Sequence, residues 1–182
     1  MWVEGVVDAF YLHPFLYYVN KCSTNMTNQF SKDQSTHTLY FPASFESLAL
    51  VSVFVGQAAK ECGLEDAGIF DVQLAVDEAC SNIIEHAYGG ECQEDIECTC
   101  EIVNEELTVV LEDCGRPFNP LDVPNPNVDA SLNDRKGGGL GLYFMRQLMD
   151  EVSFQFIPAK MNHSGRNVLT MVKRAKGKEK TS

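Results

Sequence analysis

Three groups of residues in this chain of 182 have types and spacings that could do chemistry. The first is Glu78, Asn82 and His86, at i, i+4 and i+8 in the segment LAVDEACSNIIEHAY (74–88). On a helix these side chains share one stripe. A carboxylate and an amide one turn apart suit magnesium chemistry, because Mg²⁺ takes one or two protein oxygens and leaves its other positions to phosphates and water. The carboxylate can also serve as a base toward a hydroxyl or water. A solvated polar face carries the same pattern. The second group is Asp113-Cys114-Gly115, where an apolar alternation stops. An aspartate there can accept a hydrogen bond from an exocyclic amine such as that of adenine. The glycine lets the backbone approach a flat ring. A simple Asp-x-Gly turn reads the same way. The third group is Gly137, Gly138, Gly139, Leu140 and Gly141, just before an apolar helix. Free N–H groups and the helix dipole make such a start a phosphate site, or the glycines form a hinge. No Lys-Ser/Thr follows them, so they are not a Walker loop. No strand leads directly into them, so they are not a dinucleotide fingerprint.

Hydrophobic spacing indicates the elements that must hold these groups. A short strand begins at Thr38 and stops at Pro42. Ser44 then reads as an N-cap to a helix with Leu48, Val51, Phe54, Val55 and Ala58 on its apolar face. A second helix runs from about Ile69 to Tyr88, with Phe70, Leu74, Ala75, Ala79, Ile83 and Ala87 inward and Gly89-Gly90 as its stop. Ile96, Cys98, Cys100 and Ile102, then Leu107, Val109 and Leu111, alternate about Asn104-Glu105 as a β-hairpin. Residues 117–134 hold four prolines and four asparagines and read as a lid, so 119–138 should be the least ordered stretch of the domain without nucleotide. A third helix, Leu142 to Met149, and a hairpin of Val152–Ile157 with Val168–Val172 complete the series. Runs of hairpins without a βαβ repeat predict an α+β fold. It is a two-layer α/β sandwich, a mostly antiparallel sheet covered on one face by about three helices.

Composition narrows the function. The chain is 45% hydrophobic and 22% charged, within the range of soluble globular domains. A net charge of −12 argues against nucleic acid as a partner. The basic residues between Lys173 and Lys180 read as a solvated tail. The apolar stretch 5–19 contains Asp8, His13 and Pro14 and is shorter than the about 20 residues a bilayer requires. It also lacks the basic start of a signal peptide, so no membrane role and a cytoplasmic location are expected. Seven cysteines, scattered and odd in number, suggest reduced thiols. Cys92, Cys98 and Cys100 lie close in sequence, but no CxxC pair occurs, and strand alternation turns Cys98 and Cys100 to the core.

The order of these motifs resembles the GHKL (Bergerat-fold) ATPase family: Glu-x-x-x-Asn on a helix, Asp-x-Gly at a strand end, a long lid, then Gly-x-Gly opening a helix. AVDEACSNIIEHAY, LEDCGRPFNP and GGGLGLYFMRQLMDEV are similar to the RsbW- and SpoIIAB-like branch of anti-sigma-factor serine kinases. The resemblance covers about 38–174, with 1–37 as a poorly ordered extension and 175–182 as a basic tail. It implies Glu78 as catalytic base and Asn82 as the Mg²⁺ ligand. It implies Asp113 as adenine reader supported by Gly115, and Gly137, Gly138, Gly139, Leu140 and Gly141 as the ATP phosphate loop. His86 fits the histidine that this branch carries four residues after the asparagine, with packing its leading role. The second glycine of the wider Asp-x-Gly-x-Gly motif is Pro117 here, as this branch often shows. Arg135 and Lys136 could touch phosphate or a partner. The implied activity is an ATP-dependent protein serine kinase acting on an anti-anti-sigma (STAS) protein, with a sigma factor as second partner. A homodimer is implied too, with Leu39, Phe41, Leu48 and Val51 as candidates for its surface, though their apolar periodicity fits ordinary core equally well. Two other readings stand beside it: an ATP-binding module that switches partners without kinase activity, and a zinc or redox sensor built on the cysteines.

Overall fold

The computed structural model describes residues 34–118, 140–159 and 164–175. The expected lid, Arg135 and Lys136, Gly137 to Gly139, residues 1–33 and the tail from 176 lie outside them. The described strands form a five-stranded sheet in the order β1-β2-β3-β5-β4, every neighbouring pair antiparallel. These are β1 (Gln34–Pro42), β2 (Asp95–Val103), β3 (Glu106–Asp113), β4 (Glu151–Ile157) and β5 (Arg166–Arg174). The helices are α1 (Leu48–Glu61), α2 (Asp66–Asn82) and α3 (Leu140–Leu148). This is the α+β sandwich that the order of motifs suggested.

Alternation sets the two faces of the sheet. Ile96, Cys98, Cys100 and Ile102 on β2 are buried, as are Leu107, Val109 and Leu111 on β3 and Leu169 and Met171 on β5. They join α1, α2 and α3 in one core. The intervening Glu97, Thr99, Thr108, Val110 and Thr170 are only half-buried. The two thiols of Cys98 and Cys100 thus face the core, where strand phase puts them. The β2–β3 turn bends at Asn104 (φ 50°) and Glu105 (φ 62°), two successive left-handed residues as a tight right-twisted hairpin requires.

Four details depart from the sequence reading. β1 starts at Gln34 rather than Thr38: pairing with β2 runs from Gln34↔Val103 to Pro42↔Asp95, so cross-strand bonds order a polar stretch that has no apolar period of its own. Ser44 does cap a helical start, its Oγ accepting from the Glu46 N–H at 3.3 Å, but the cap serves a short 3-10 turn, Phe45–Ser47, that leads into α1. Phe70 is 62% exposed and Leu74 half-buried, because the inward stripe of α2 is Val72, Ala75, Val76, Ala79 and Cys80. Phe41 and Val51, expected on a dimer surface, lie in the core at 0% and 1% exposure, so neither can meet another subunit; Leu39 and Leu48 pack half-buried against the same core. No helix among the described residues is long and apolar enough to cross a membrane.

Glu105 holds a left-handed conformation that costs an L-residue roughly 1–2 kcal/mol and glycine nothing. Glycine loses more chain entropy on folding, by about 0.5–1 kcal/mol. Glu105→Gly, creating the preferred Asn-Gly turn, should therefore raise stability by up to about 1 kcal/mol. A urea midpoint at or below that of the unaltered protein would contradict this account of the turn.

Candidate functional site: a cleft between α2, β3 and α3

The site begins where β3 ends. Asp113 continues the inward phase of Leu107, Val109 and Leu111 and is 4% exposed. A carboxylate so placed needs donors. Its Oδ1 accepts from Asn167 Nδ2 at 2.8 Å and from the Gly115 N–H at 2.8 Å. No donor among the described residues reaches Oδ2. Burial raises the Asp113 carboxyl above the usual aspartate value, and the hydrogen bonds from Asn167 and Gly115 oppose that rise. Asn167 lies opposite Asp113 in the β3–β5 register. Its Nδ2 also donates to Arg116 O at 3.0 Å, and its Oδ1 accepts from the Phe118 N–H at 3.0 Å. One amide therefore holds both the aspartate and the chain leaving β3.

The far wall is the end of α2. At Ile83 the α-helix widens into a π-turn, Ile83–Tyr88, closed by Gly89 at φ 80°. Such wide turns recur at functional sites. The turn reaches the β3 loop directly: the Arg116 N–H donates to Ala87 O at 2.9 Å, and the Cys114 N–H donates to Tyr88 Oη at 3.2 Å. Burial pushes the Tyr88 phenol up to about 12, so it remains neutral. Gly115 is required by this approach. A Cβ there would stand 2.7 Å from Ala87 Cβ and 2.9 Å from the Ala87 carbonyl carbon and oxygen.

The start of α3 completes the arrangement. A Cβ on Gly141 would lie 2.7 Å from Glu78 Oε2 and 3.0 Å from Asn82 Nδ2. The glycine opening α3 thus stands directly against the two polar residues of α2. Neither Glu78 nor Asn82 forms a side-chain hydrogen bond with another of the described residues. Asn82 and Asp113 line one cleft, floored by Ala79, Met145 and Leu169, with Phe118 at its side. Phe118 and Phe154 meet at 5.4 Å between ring centroids, tilted by 56°. The cleft can take a flat, amine-bearing ring at Asp113 and present its far end to Glu78, Asn82 and the α3 N-terminus.

Of the nine residues the sequence singled out, the structure brings together Glu78, Asn82, Asp113, Gly115 and Gly141, with Leu140 beside them; Gly137 to Gly139 lie outside the described residues. His86 is exposed and lines the cleft rather than packing in the core, because the π-turn keeps it on the side of Asn82. Asn167 was missed. Its signal was a polar residue in the inward phase of Leu169 and Met171, just before the expected start of the strand.

Residues 41–173 match the family described as the histidine kinase-like ATPase domain. That span is most of the chain, and the chain belongs to this family. Its curated relatives include serine-protein kinases named RsbW. It is 34% identical to that of Listeria monocytogenes serovar 1/2a over 130 residues, 65% of this chain and 78% of that protein. It is 30% identical to that of Bacillus subtilis strain 168 over 128 residues, 68% of this chain and 76% of that protein. A solved structure of the RsbU and RsbW domains of a Mycobacterium tuberculosis protein shares the fold, with a TM-score of 0.50 at 17% identity. The match covers 76% of this chain and 32% of that one, so this chain spans about a third of it.

Asn167→Ala would leave the buried Asp113 carboxylate with one donor and free two backbone groups. A loss of about 1–3 kcal/mol is expected in urea unfolding; a loss within ±0.5 kcal/mol would remove Asn167 from this role. Asp113→Asn keeps an acceptor for the same two donors and removes the charge. The carboxyl of Asp113 is raised in the fold, so its contribution to stability is present below the ordinary aspartate value, about 4, and is lost as pH rises through the folded value. The stability of Asp113→Asn relative to the unaltered protein should therefore grow from below about pH 4 to neutrality. A difference that shrinks with rising pH would contradict the burial account.

Proposed function

We propose that the protein is an ATP-dependent serine kinase of the anti-sigma-factor type, transferring phosphate to a serine of a STAS partner and holding a sigma factor as its second partner, in the cytoplasm. The observation that carries this reading is Gly141 pressed against Glu78 and Asn82 at one end of a cleft whose other end is Asp113. The RsbW relatives supply the reaction class.

Asp113 Oδ2 accepts from the adenine amine while Asn167 and Gly115 fix Oδ1. Gly115 brings the backbone close to the ring edge. The triphosphate lies toward Gly141 and the α3 N-terminus, whose N–H groups and dipole favour anions, and Gly137, Gly138 and Gly139 are the further phosphate-loop residues that the family resemblance implies. Asn82 Oδ1 would be the protein ligand for Mg²⁺, which would supply neutralisation of charge on the phosphates. Glu78 holds and deprotonates the incoming serine hydroxyl. Transfer of this kind requires mostly positioning and electrostatics, so one base and one amide suffice.

The direct test incubates the protein with γ-labelled ATP and a STAS protein. Label on a STAS serine supports the reading; tight ATP binding with no transfer to any STAS partner would favour a module that switches partners by binding alone. Glu78→Gln should keep ATP affinity within a few fold and lower transfer by about 10²–10⁴. Asn82→Ala should weaken Mg²⁺-ATP binding itself, and Asp113→Ala should relax the preference for adenine over guanine. Undiminished transfer by Glu78→Gln would reject the base assignment.

A further inference from the structure

Away from the cleft, one lysine ties three elements together. Lys173, near the end of β5, places Nζ 2.8 Å from Asp71 Oδ2 on α2 and donates to Leu148 O at 2.5 Å. The lysine side chain is 16% exposed and that of Asp71 30% exposed. Withdrawing an ammonium from water is costly unless it is paired and hydrogen-bonded, and Lys173 has both kinds of partner. Leu148 is the last residue of α3, so the cation rests where the helix collects negative partial charge.

The opposite end of α3 is the glycine start beside Glu78 and Asn82. Nine residues make a helix about 13.5 Å long. Leu142 and Met145 are its buried residues, with Met149 just beyond and Leu148 half-buried against the core. To this apolar packing the bridge through Lys173 adds directional polar contacts at the C-terminal end of the helix. It fixes the C-terminus of α3 to α2, the helix that bears Glu78 and Asn82. At the adenine end, Asp113 of β3, Gly115 just beyond it and Asn167 of β5 hold one another by hydrogen bonds that use no residue of α3, which meets the cleft only through Met145 on its floor.

We propose that Lys173 is a positioning residue for the phosphate end of the cleft: by joining the last carbonyl of α3 to Asp71 of α2, it sets where Gly141 meets Glu78 and Asn82 without touching the nucleotide. This rests on the nucleotide reading given above. It makes the two ends of the cleft separable by a change remote from both.

The test uses the full chain with Lys173→Met, Lys173→Arg and Asp71→Asn, and titrates each with Mg²⁺-ATP and with adenosine while recording thermal unfolding. Lys173→Met should weaken Mg²⁺-ATP about tenfold, the scale of a remote coupling, and leave adenosine within about twofold. Asp71→Asn should act in the same direction and less, since the bond to Leu148 O remains. Lys173→Arg should restore most of the affinity. A bridge that is only structural would lower the melting temperature and reduce both ligands equally; that outcome, or unchanged ATP affinity in Lys173→Met, overturns the proposal. Should Lys173→Met fail to fold, Asp71→Asn and Lys173→Arg decide by the same ratio of ATP to adenosine. Uptake of neither ligand by the unaltered protein would instead defeat the nucleotide reading, and this inference with it.

Discussion

A carboxylate inside a sheet must be held by donors, and at Asp113 the holding is shared by a neighbouring strand and the following turn. The bond from Asn167 crosses the β3–β5 pair, and the bond from Gly115 closes the loop onto the same oxygen. Both donors take Oδ1, which leaves the other oxygen for a ligand. Much of the cleft follows from this pairing. It needs β5 beside β3 in this register, and it needs the chain to leave β3 close to the end of α2. The same amide of Asn167 holds Arg116 and Phe118, so the root of the expected lid and the expected adenine reader are fixed by one side chain.

Close approach is the second constraint. Gly115 lies against the carbonyl of Ala87, and Gly141 lies against Glu78 and Asn82, at separations that a methyl group would fill. Two glycines thus bring β3 and α3 against α2 from either side. The π-turn at Ile83–Tyr88 serves the same end, carrying Ala87 O and Tyr88 Oη to the β3 loop and His86 to the cleft. Wide helical turns are less stable than α-helix, and one persists where its carbonyls and side chains are used elsewhere.

Much of this was legible in the residues. Alternation on β2 and β3 gave both strands and their inward faces, and Asn104-Glu105 marked the hairpin. The spacing of Glu78 and Asn82, Asp113-x-Gly115 and a glycine start to the third helix were each weak alone; their order, through the family resemblance, put them in one site, and the structure sets Glu78, Asn82 and Gly141 together and Asn82 and Asp113 in one cleft. What was hidden had physical reasons. β1 gains its first four residues from pairing with β2, which no local period announces. Phe70 looked inward because it is large and apolar, but α2 buries Val72 and Val76 in the core instead. Phe41 and Val51 could have been core or interface, since both show the same period; only packing separates them. Asn167 was hidden because its value lies in a partner 54 residues away. The π-turn left no mark in the composition of Ile83–Tyr88.

The account stands on adenine nucleotide entering the cleft between α2, β3 and α3. The most direct measurement is amide chemical-shift mapping of the protein titrated with Mg²⁺-ATP. The largest changes should fall on Asn82, His86, Gly115, Gly141 and the side-chain amide of Asn167. Changes centred elsewhere, for instance on the open groove lined by Glu61, Asn104 and Glu105, with the cleft residues unmoved, would contradict it.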